Sequence, residues 1–264
     1  MSKISFKLIL LVATIGFLLL PLAVIIPVSF VDSRFLQFPP EALSLRWYKN
    51  FFGQQSWHNA LLNSLTLGAL TTVGSVVLGT LASLALVRGQ FPGKRVVWVL
   101  FLSPIVVPQI LIAIAIYGLY LRLGMVGSIT GIAAAHTLLA MPYTILLVSE
   151  ALKRLDPDIE RAARIFGATP WRTFWIVTLP QLLPAVVTSA VFSFFVSFDE
   201  LVVTLFVKGT MNTIPTRVWS DLRYEISPTI AAVASLLVSV TLASMLLIEV
   251  LRRRSAGSDP VREN

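Results

Sequence analysis

Two adjacent acids, Asp199 and Glu200, stand inside an otherwise apolar run, FSFFVSFDELVVT, flanked by Phe194, Phe195, Phe198 and Leu201. A carboxylate near the middle of a bilayer costs about 2.5 to 3.5 kcal/mol on insertion scales. Two neighbouring acids therefore need water, a cation or a polar partner, and the chemistry they suit is recognition of a positive charge. On one helix adjacent side chains point about 100° apart, so one acid is expected to face a pathway and the other a helix interface. The plainer reading is that both pair with Lys208, Arg217 or a second protein. Other chemistry is poorly supplied. The chain has no cysteine and only two histidines, His58 and His136, which removes disulfides, thiolate metal sites and cysteine nucleophiles. No metal-ligand cluster or nucleophile and base pair can be assembled, so an enzyme is not expected. His136 reads as an interhelical hydrogen bonder rather than a proton relay. The nearest string to a phosphate-binding loop, GQFPGKR at Gly89 to Arg95, has the wrong spacing, so any ATP must be hydrolysed by a partner.

The second informative stretch is a charged island at residues 150–180, which keeps nine Asp, Glu, Lys and Arg side chains between long apolar segments. Its local signals are specific. Asp156 can N-cap a helix with Pro157 at the first position and Asp158 and Glu160 in the first turn. Gly167 offers a left-handed stop. Thr169 and Pro170 repeat the cap, and a second helix is expected to run through Trp171 and Phe174 toward Leu179 and Pro180. A short helix, a turn and a re-entering helix at the membrane surface would present a face to another protein; an amphipathic interfacial loop without a partner is the alternative.

The elements that must position these residues are membrane spans. The chain is 56% hydrophobic and 13% charged, against about 25% charged in soluble domains. With about 20 apolar residues needed per crossing, six spans are expected, near 8–31, 60–87, 96–121, 126–149, 181–207 and 229–250. Lys3 and Lys7 before the first run would suit a cleaved signal, but that run is too long, contains Pro21 and Pro27 and lacks a small-x-small cleavage site; an uncleaved helix is expected. Of the 21 Lys and Arg, 14 fall on the side of the termini, of Arg88, Lys94 and Arg95, and of the 150–180 loop. Positive residues are retained on the cytoplasmic side, so both termini and the charged island are read as cytoplasmic. The net charge of +8 follows from this bias and from attraction to anionic lipid, and nucleic-acid binding is not inferred. The domain is expected to cover 1–254, with 255–264 a disordered tail. Thr71, Ser75, Gly79 and Ser83 form a small-residue ridge on the second span, and Gly127 and Gly131 a second small-residue pair. Pro104 and Pro108 are expected to bend or interrupt the third span.

The 150–180 loop resembles the EAA loop of ABC importer permeases. Ala162, Ala163, Gly167, Leu179 and Pro180 fall at the spacings of that pattern, and Val177 stands where it has Ile. Arg161 occupies the place of its Glu, with Glu160 immediately before, so either could make the polar contact to an ATPase. The resemblance extends over most of the chain and is nearest to the polyamine, opine and phosphonate importers, in particular the second permease of spermidine and putrescine systems. It is carried by LRWYKNFF (Leu45 to Phe52), NSL (Asn63 to Leu65), SPIVVPQILIAIAIY (Ser103 to Tyr117), SFDELVVT (Ser197 to Thr204) and IPTRVWSDLRYEISP (Ile214 to Pro228).

What the resemblance implies is an all-α, MetI-like type I importer core in the bacterial inner membrane. It would be paired with a homologous permease, with two cytoplasmic ATPases that hold ATP and Mg, and with a periplasmic or extracellular substrate-binding protein; the chain itself would bind no cofactor. Glu160, Arg161, Ala162, Ala163, Gly167, Leu179 and Pro180 become coupling residues. Asp199, Glu200, Ser197, Gln109 and Trp47 become substrate-pathway residues. Trp47 and Tyr48 match positions that spermidine permeases use for substrate, and an indole suits an ammonium group, although a membrane-interface role is the commoner one. Gln109 stands where those permeases carry Asp, which favours a shorter amine. An opine, a phosphonate or another small solute remains an alternative, as does an ion-coupled secondary transporter using Asp199 and His136.

Overall fold

The computed structural model describes residues 3–224 and 227–256. These are predominantly helical, and the extended pairing found among them is a single bridge between Val31 and Leu43. The chain divides into two compact units, residues 1–58 with 218–264, and residues 59–217.

In the first unit, α1 (Lys3–Val28) carries Pro21 and Pro27 and exposes its apolar side chains on all sides, as a helix bathed in lipid does. A short helix α2 (Arg46–Gly53) lies against the start of the last helix, here α12 (Thr229–Ala256). Trp47 is buried beside Val31, Ala232 and Tyr48. Tyr48 Oη bonds to Ser29 Oγ (2.7 Å) and Ser235 Oγ (3.2 Å), and Asn50 Nδ2 donates to Thr229 Oγ1 (3.0 Å). The expected disordered tail falls mostly outside the described residues, since α12 reaches Ala256.

The second unit holds most of α3 (Gln55–Arg88), then α4 (Lys94–Val106), α5 (Gln109–Leu123), α6 (Ile129–Arg154), α7 (Pro157–Ile165), α8 (Pro170–Thr173), a π-helical segment (Phe174–Thr178), α9 (Leu179–Phe198) and α10 (Val202–Val207). A last helix, α11 (Ile214–Tyr224), begins here. Four described helices are long and apolar enough to cross a membrane, or five if α4 and α5 form one bent span, and Thr229–Leu242 adds a shorter apolar stretch.

The expected third span is bent by 106° between α4 and α5. Pro108 has no N–H to continue the ladder, and Val107 before it is extended (ψ 130°), as a residue preceding proline must be. The expected fifth span is displaced at both ends. One continuous run starts at Pro170 in the charged island and stops at Phe198, short of Asp199. The island's second helix therefore does not end at Pro180. It passes through the π segment, where the Leu179 N–H bonds to the Phe174 carbonyl five residues back. That wider turn accommodates the proline ring and its missing donor within a helix that continues.

The main apolar core of this unit gathers Leu67 of α3, Ile116 and Tyr120 of α5, Ile132 and Leu139 of α6 and Val203 and Val207 of α10, and beside it α3, α6 and α9 share a face of small and hydroxyl residues. Thr71, Ser75 and Ser83 are fully buried. Ser75, Thr144 and Ser193 form a closed triangle of hydroxyls at 2.9, 3.2 and 3.0 Å, so the small-residue ridge supplies both close approach and hydrogen bonds in a medium without water. A second apolar cluster, Val148, Leu152 and Leu182, lies toward the charged island. Gly127 and Gly131 differ from expectation. Gly127 sits in the turn before α6, bonded to the Val207 carbonyl (2.8 Å) and facing Gly209. Gly131 lies in the first turn of α6 against Ser128 and Met125, so the pair closes a turn rather than packing two helices.

A Cβ at Gly79 would stand 2.6 Å from Thr144 Cγ2 and 2.7 Å from its Cβ. Gly79→Ala is expected to destabilise the protein by about 1–3 kcal/mol through overpacking, seen as a lower thermal unfolding temperature in detergent. Gly118→Ala, where a Cβ meets nothing within 4 Å, should not lower it. Equal unfolding temperatures for the two variants would show that α3 and α6 are not this close.

Candidate functional site

The two expected acids do not share a helix. Asp199 ends α9 (φ −91°, ψ −2°), Glu200 and Leu201 lie outside any helix, and α10 restarts at Val202. A break of this kind leaves backbone donors without partners, and the side chains of the break supply them. Glu200 is 5% exposed. Its Oε1 accepts the Val203 N–H (2.8 Å), an N-terminal cap for α10, and its carbonyl accepts Thr204 Oγ1 (2.9 Å). The remaining oxygen, Oε2, accepts Nε2 of Gln109 (3.2 Å), the first residue of α5. The Pro108 break and the Asp199–Leu201 break are thus joined by one amide and one carboxylate. Asp199 is exposed. Lys208, a counter-ion considered for these acids, donates instead to Asn212 Oδ1 (2.6 Å).

Behind Glu200 lies His136 of α6, completely buried. Its Nδ1 is 2.8 Å from Ser197 Oγ and its Nε2 2.8 Å from Thr204 Oγ1. Thr204 uses its single proton on the Glu200 carbonyl, so Nε2–H donates to Thr204 and Nδ1 accepts from Ser197. The imidazole clamps α9 to α10 across their break, the interhelical role expected of it. Ser197, expected on the pathway, is buried and spent on this bond. Gln109 and Glu200 are brought together, with Asp199 beside them. Trp47 belongs to the other unit, buried, with the Arg46 guanidinium 4.9 Å from the ring. Thr204 was not singled out in the sequence, and its position four residues after Glu200 was the signal for it.

The charged island folds as its caps dictate. Asp156 Oδ1 accepts the Asp158 N–H (2.9 Å), Thr169 Oγ1 accepts the Arg172 N–H (3.3 Å), and Gly167 takes φ +88°. Glu160 and Arg161 point differently. Arg161 is exposed and pairs with Asp158 (2.5 Å). Glu160 turns inward, where Oε1 accepts Thr178 Oγ1 (3.0 Å) and meets Arg88 Nη2 (3.4 Å). Ala162 is exposed and Ala163 half-buried, and Ile165 and Phe166 stand 83% and 90% exposed at the end of α7. Leu179 and Pro180 occupy the exit of the π segment. The loop is therefore a protruding helix with an apolar tip and a polar root.

A bundle of apolar helices with two broken ones meeting at a carboxylate, and a capped helix projecting between two spans, is the arrangement of a transport subunit. The chain belongs to the family of binding-protein-dependent transport system inner membrane components, whose family model matches residues 75–257. It is a membrane component of a transport system rather than an enzyme. It is similar to the putrescine transport system permease protein PotI of Escherichia coli K12, 30% identical over 240 residues, covering 88% of this chain and 85% of that one. The spermidine/putrescine transport system permease protein PotC of Haemophilus influenzae is 26% identical, with 91% and 93% covered. Among solved structures, a bacterial ABC transporter involved in the import of the acidic polysaccharide alginate matches with a TM-score of 0.67 at 16% identity, over 96% of this chain and 98% of that one; this likeness shows the shared fold.

Gly167→Val places a β-branched residue at φ +88°, a conformation costing about 1–3 kcal/mol. The variant should insert at wild-type levels, because the strain lies outside the apolar core, and transport by the assembled complex should be lost. Wild-type uptake by Gly167→Val would show that the geometry of the α7–α8 turn is irrelevant to coupling.

Proposed function

We propose that this chain is one of two homologous permease subunits of an ATP-driven importer for a small cationic amine, and that it contributes half of the translocation pathway. In this reading the membrane domain crosses six times with both termini in the cytoplasm, the bent α4–α5 pair and α12 completing the count. ATP and Mg are held by two cytoplasmic ATPases that dock on the tip of α7, and a binding protein delivers solute from the other side. The observation that carries the substrate is the acid pair at a double helix break. Glu200 is held by neutral donors from Val203 and Gln109, and Asp199 beside it presents an exposed carboxylate. An ammonium group is the complement of such a site, and the similar proteins PotI and PotC are named for putrescine and spermidine. Gln109, being neutral, leaves one acid fewer on the route, which suits a diamine better than a longer polyamine.

The ion-coupled alternative loses its proton carrier, because both ring nitrogens of His136 are engaged by hydroxyls in the interior. Asp199 alone would have to couple solute to a gradient.

The test is ATP-dependent uptake of labelled putrescine and spermidine by the assembled complex, wild type against the Asp199→Asn, Glu200→Gln double variant. Loss of charge-assisted hydrogen bonds worth about 1.5–3 kcal/mol each should lower putrescine uptake by about tenfold or more while insertion and assembly persist. Absence of uptake of either amine by the wild type would move the substrate to an opine, a phosphonate or another small solute. Uptake that follows the proton gradient and ignores ATP depletion would replace the importer with a secondary transporter.

A further inference from the structure

The polar root of the charged island converges on one point. Arg88, the last residue of α3, donates from Nη2 to the Leu155 carbonyl at the end of α6 (3.2 Å) and to Glu160 Oε1 in α7 (3.4 Å). The same carboxylate oxygen accepts the hydroxyl of Thr178, at the end of the π segment (3.0 Å). One guanidinium nitrogen and one carboxylate oxygen thus tie together α3, the α6–α7 junction, α7 and the head of α9. The side chains are 26% and 15% exposed, whereas those of the neighbouring pairs Glu150–Arg154 and Asp158–Arg161 are all more than half exposed. Shielding from water strengthens a charge pair, and exposed pairs contribute little.

The position of the pair matters more than its strength. α7 is joined to the rest of the unit by two short non-helical links, Leu155–Asp156 on one side and Phe166–Thr169 on the other. A short helix held only at its two ends can still rotate about the line that joins them unless a third point is fixed, and Glu160 provides such a point. Beyond Thr178 the helix continues without interruption to Phe198, so whatever moves the π segment also moves the end that carries Ser197, Asp199 and the break at Glu200.

We infer that Arg88 and Glu160 are positioning residues for energy coupling: their ion pair locks α7 to the end of α3 and the head of α9, so that force applied at the exposed Ile165 and Phe166 is delivered to the helix break rather than lost in the links. Glu160 is then an internal strut and no part of the docking face, while the exposed Arg161 and the apolar tip are. The inference rests on the importer reading above, in which ATPases push on this loop.

The experiment compares Arg88→Met, Arg88→Lys, Glu160→Gln and the reciprocal pair R88E/E160R in the complete complex, reading ATPase subunits retained, ATP hydrolysed with and without loaded binding protein, and solute taken up. Arg88→Met and Glu160→Gln should retain the ATPases and their basal hydrolysis but lower uptake and stimulated hydrolysis by about tenfold, a shift typical of altered coupling. Arg88→Lys should fall less, and the reciprocal pair should restore uptake to within about threefold of wild type if the charge pair itself is the strut. Unchanged uptake in the single variants overturns the inference. So does failure of the reciprocal pair to rescue, or loss of the ATPases from Glu160→Gln alone, which would make Glu160 a docking contact. A wild-type complex whose hydrolysis ignores a loaded binding protein would fail the importer reading instead, before any variant is compared.

Discussion

Inside hydrocarbon no water is available to a backbone group that lacks a partner, so every interruption of a helix must be satisfied by protein. This protein interrupts two helices in the same neighbourhood and satisfies them with one another's side chains. Pro108 ends one ladder and leaves Gln109 at the head of α5. The Asp199–Leu201 segment ends another, and Glu200 turns back to cap Val203. The amide to carboxylate bond between Gln109 and Glu200 then makes the stability of each break depend on the other. His136 adds a third tie, since its two ring nitrogens reach hydroxyls on either side of the second break. A polar cluster that is expensive in lipid is in this way almost fully internally bonded. Asp199, by contrast, keeps its carboxylate exposed.

The same constraint bears on the packing of α3, α6 and α9. Close approach of α3, α6 and α9 is achieved by glycine and hydroxyl residues, because apolar burial gives no advantage to one helix over lipid. The Ser75, Thr144 and Ser193 triangle consumes three hydroxyls that would otherwise be unpaired. Farther along, Pro180 removes a donor from the run that begins at Pro170. The π turn shifts the ladder by one residue, and Gln181 Nε2 reaches back to the Val177 carbonyl (2.9 Å). The departures at Pro180 and at Asp199–Leu201 are thus each accompanied by a side-chain hydrogen bond to the backbone.

These repairs also decide what was legible in the sequence. Features encoded by local stereochemistry could be read directly: the Asp156–Pro157 and Thr169–Pro170 caps, the left-handed turn at Gly167, the interruption at Pro108 and the ridge from Thr71 to Ser83. The break after Phe198 could not. FDEL contains neither proline nor glycine, each residue is compatible with a helix, and the chain stops there only because Glu200, Thr204 and Gln109 together offer a better set of hydrogen bonds than the ladder would. The fusion of the island's second helix with α9 was hidden for a related reason, since a proline normally marks a boundary and only a π turn lets the helix pass through it. Ser197 stands two residues before the acids in sequence, yet its hydroxyl turns toward His136, a partner that sequence spacing does not reveal.

The two charged neighbours of the 150–180 loop, one acid and one base, show how far a side chain's role depends on its partner across the fold. Glu160 and Arg161 are neighbours on one short helix, and pattern alone gave either one the outward contact. About 100° of helical rotation separates them, and Arg88, seventy-two residues earlier, selects which of them turns inward. Arg161, left outside, finds Asp158 three residues back and remains in solvent. Arg161, where the resembled pattern has Glu, therefore sets the charge on the exposed side of α7 and takes no part in the inward bond of Glu160. The outward face of α7 is shaped by solvent and the inward face by Arg88 and Thr178, so the two faces answer to different surroundings.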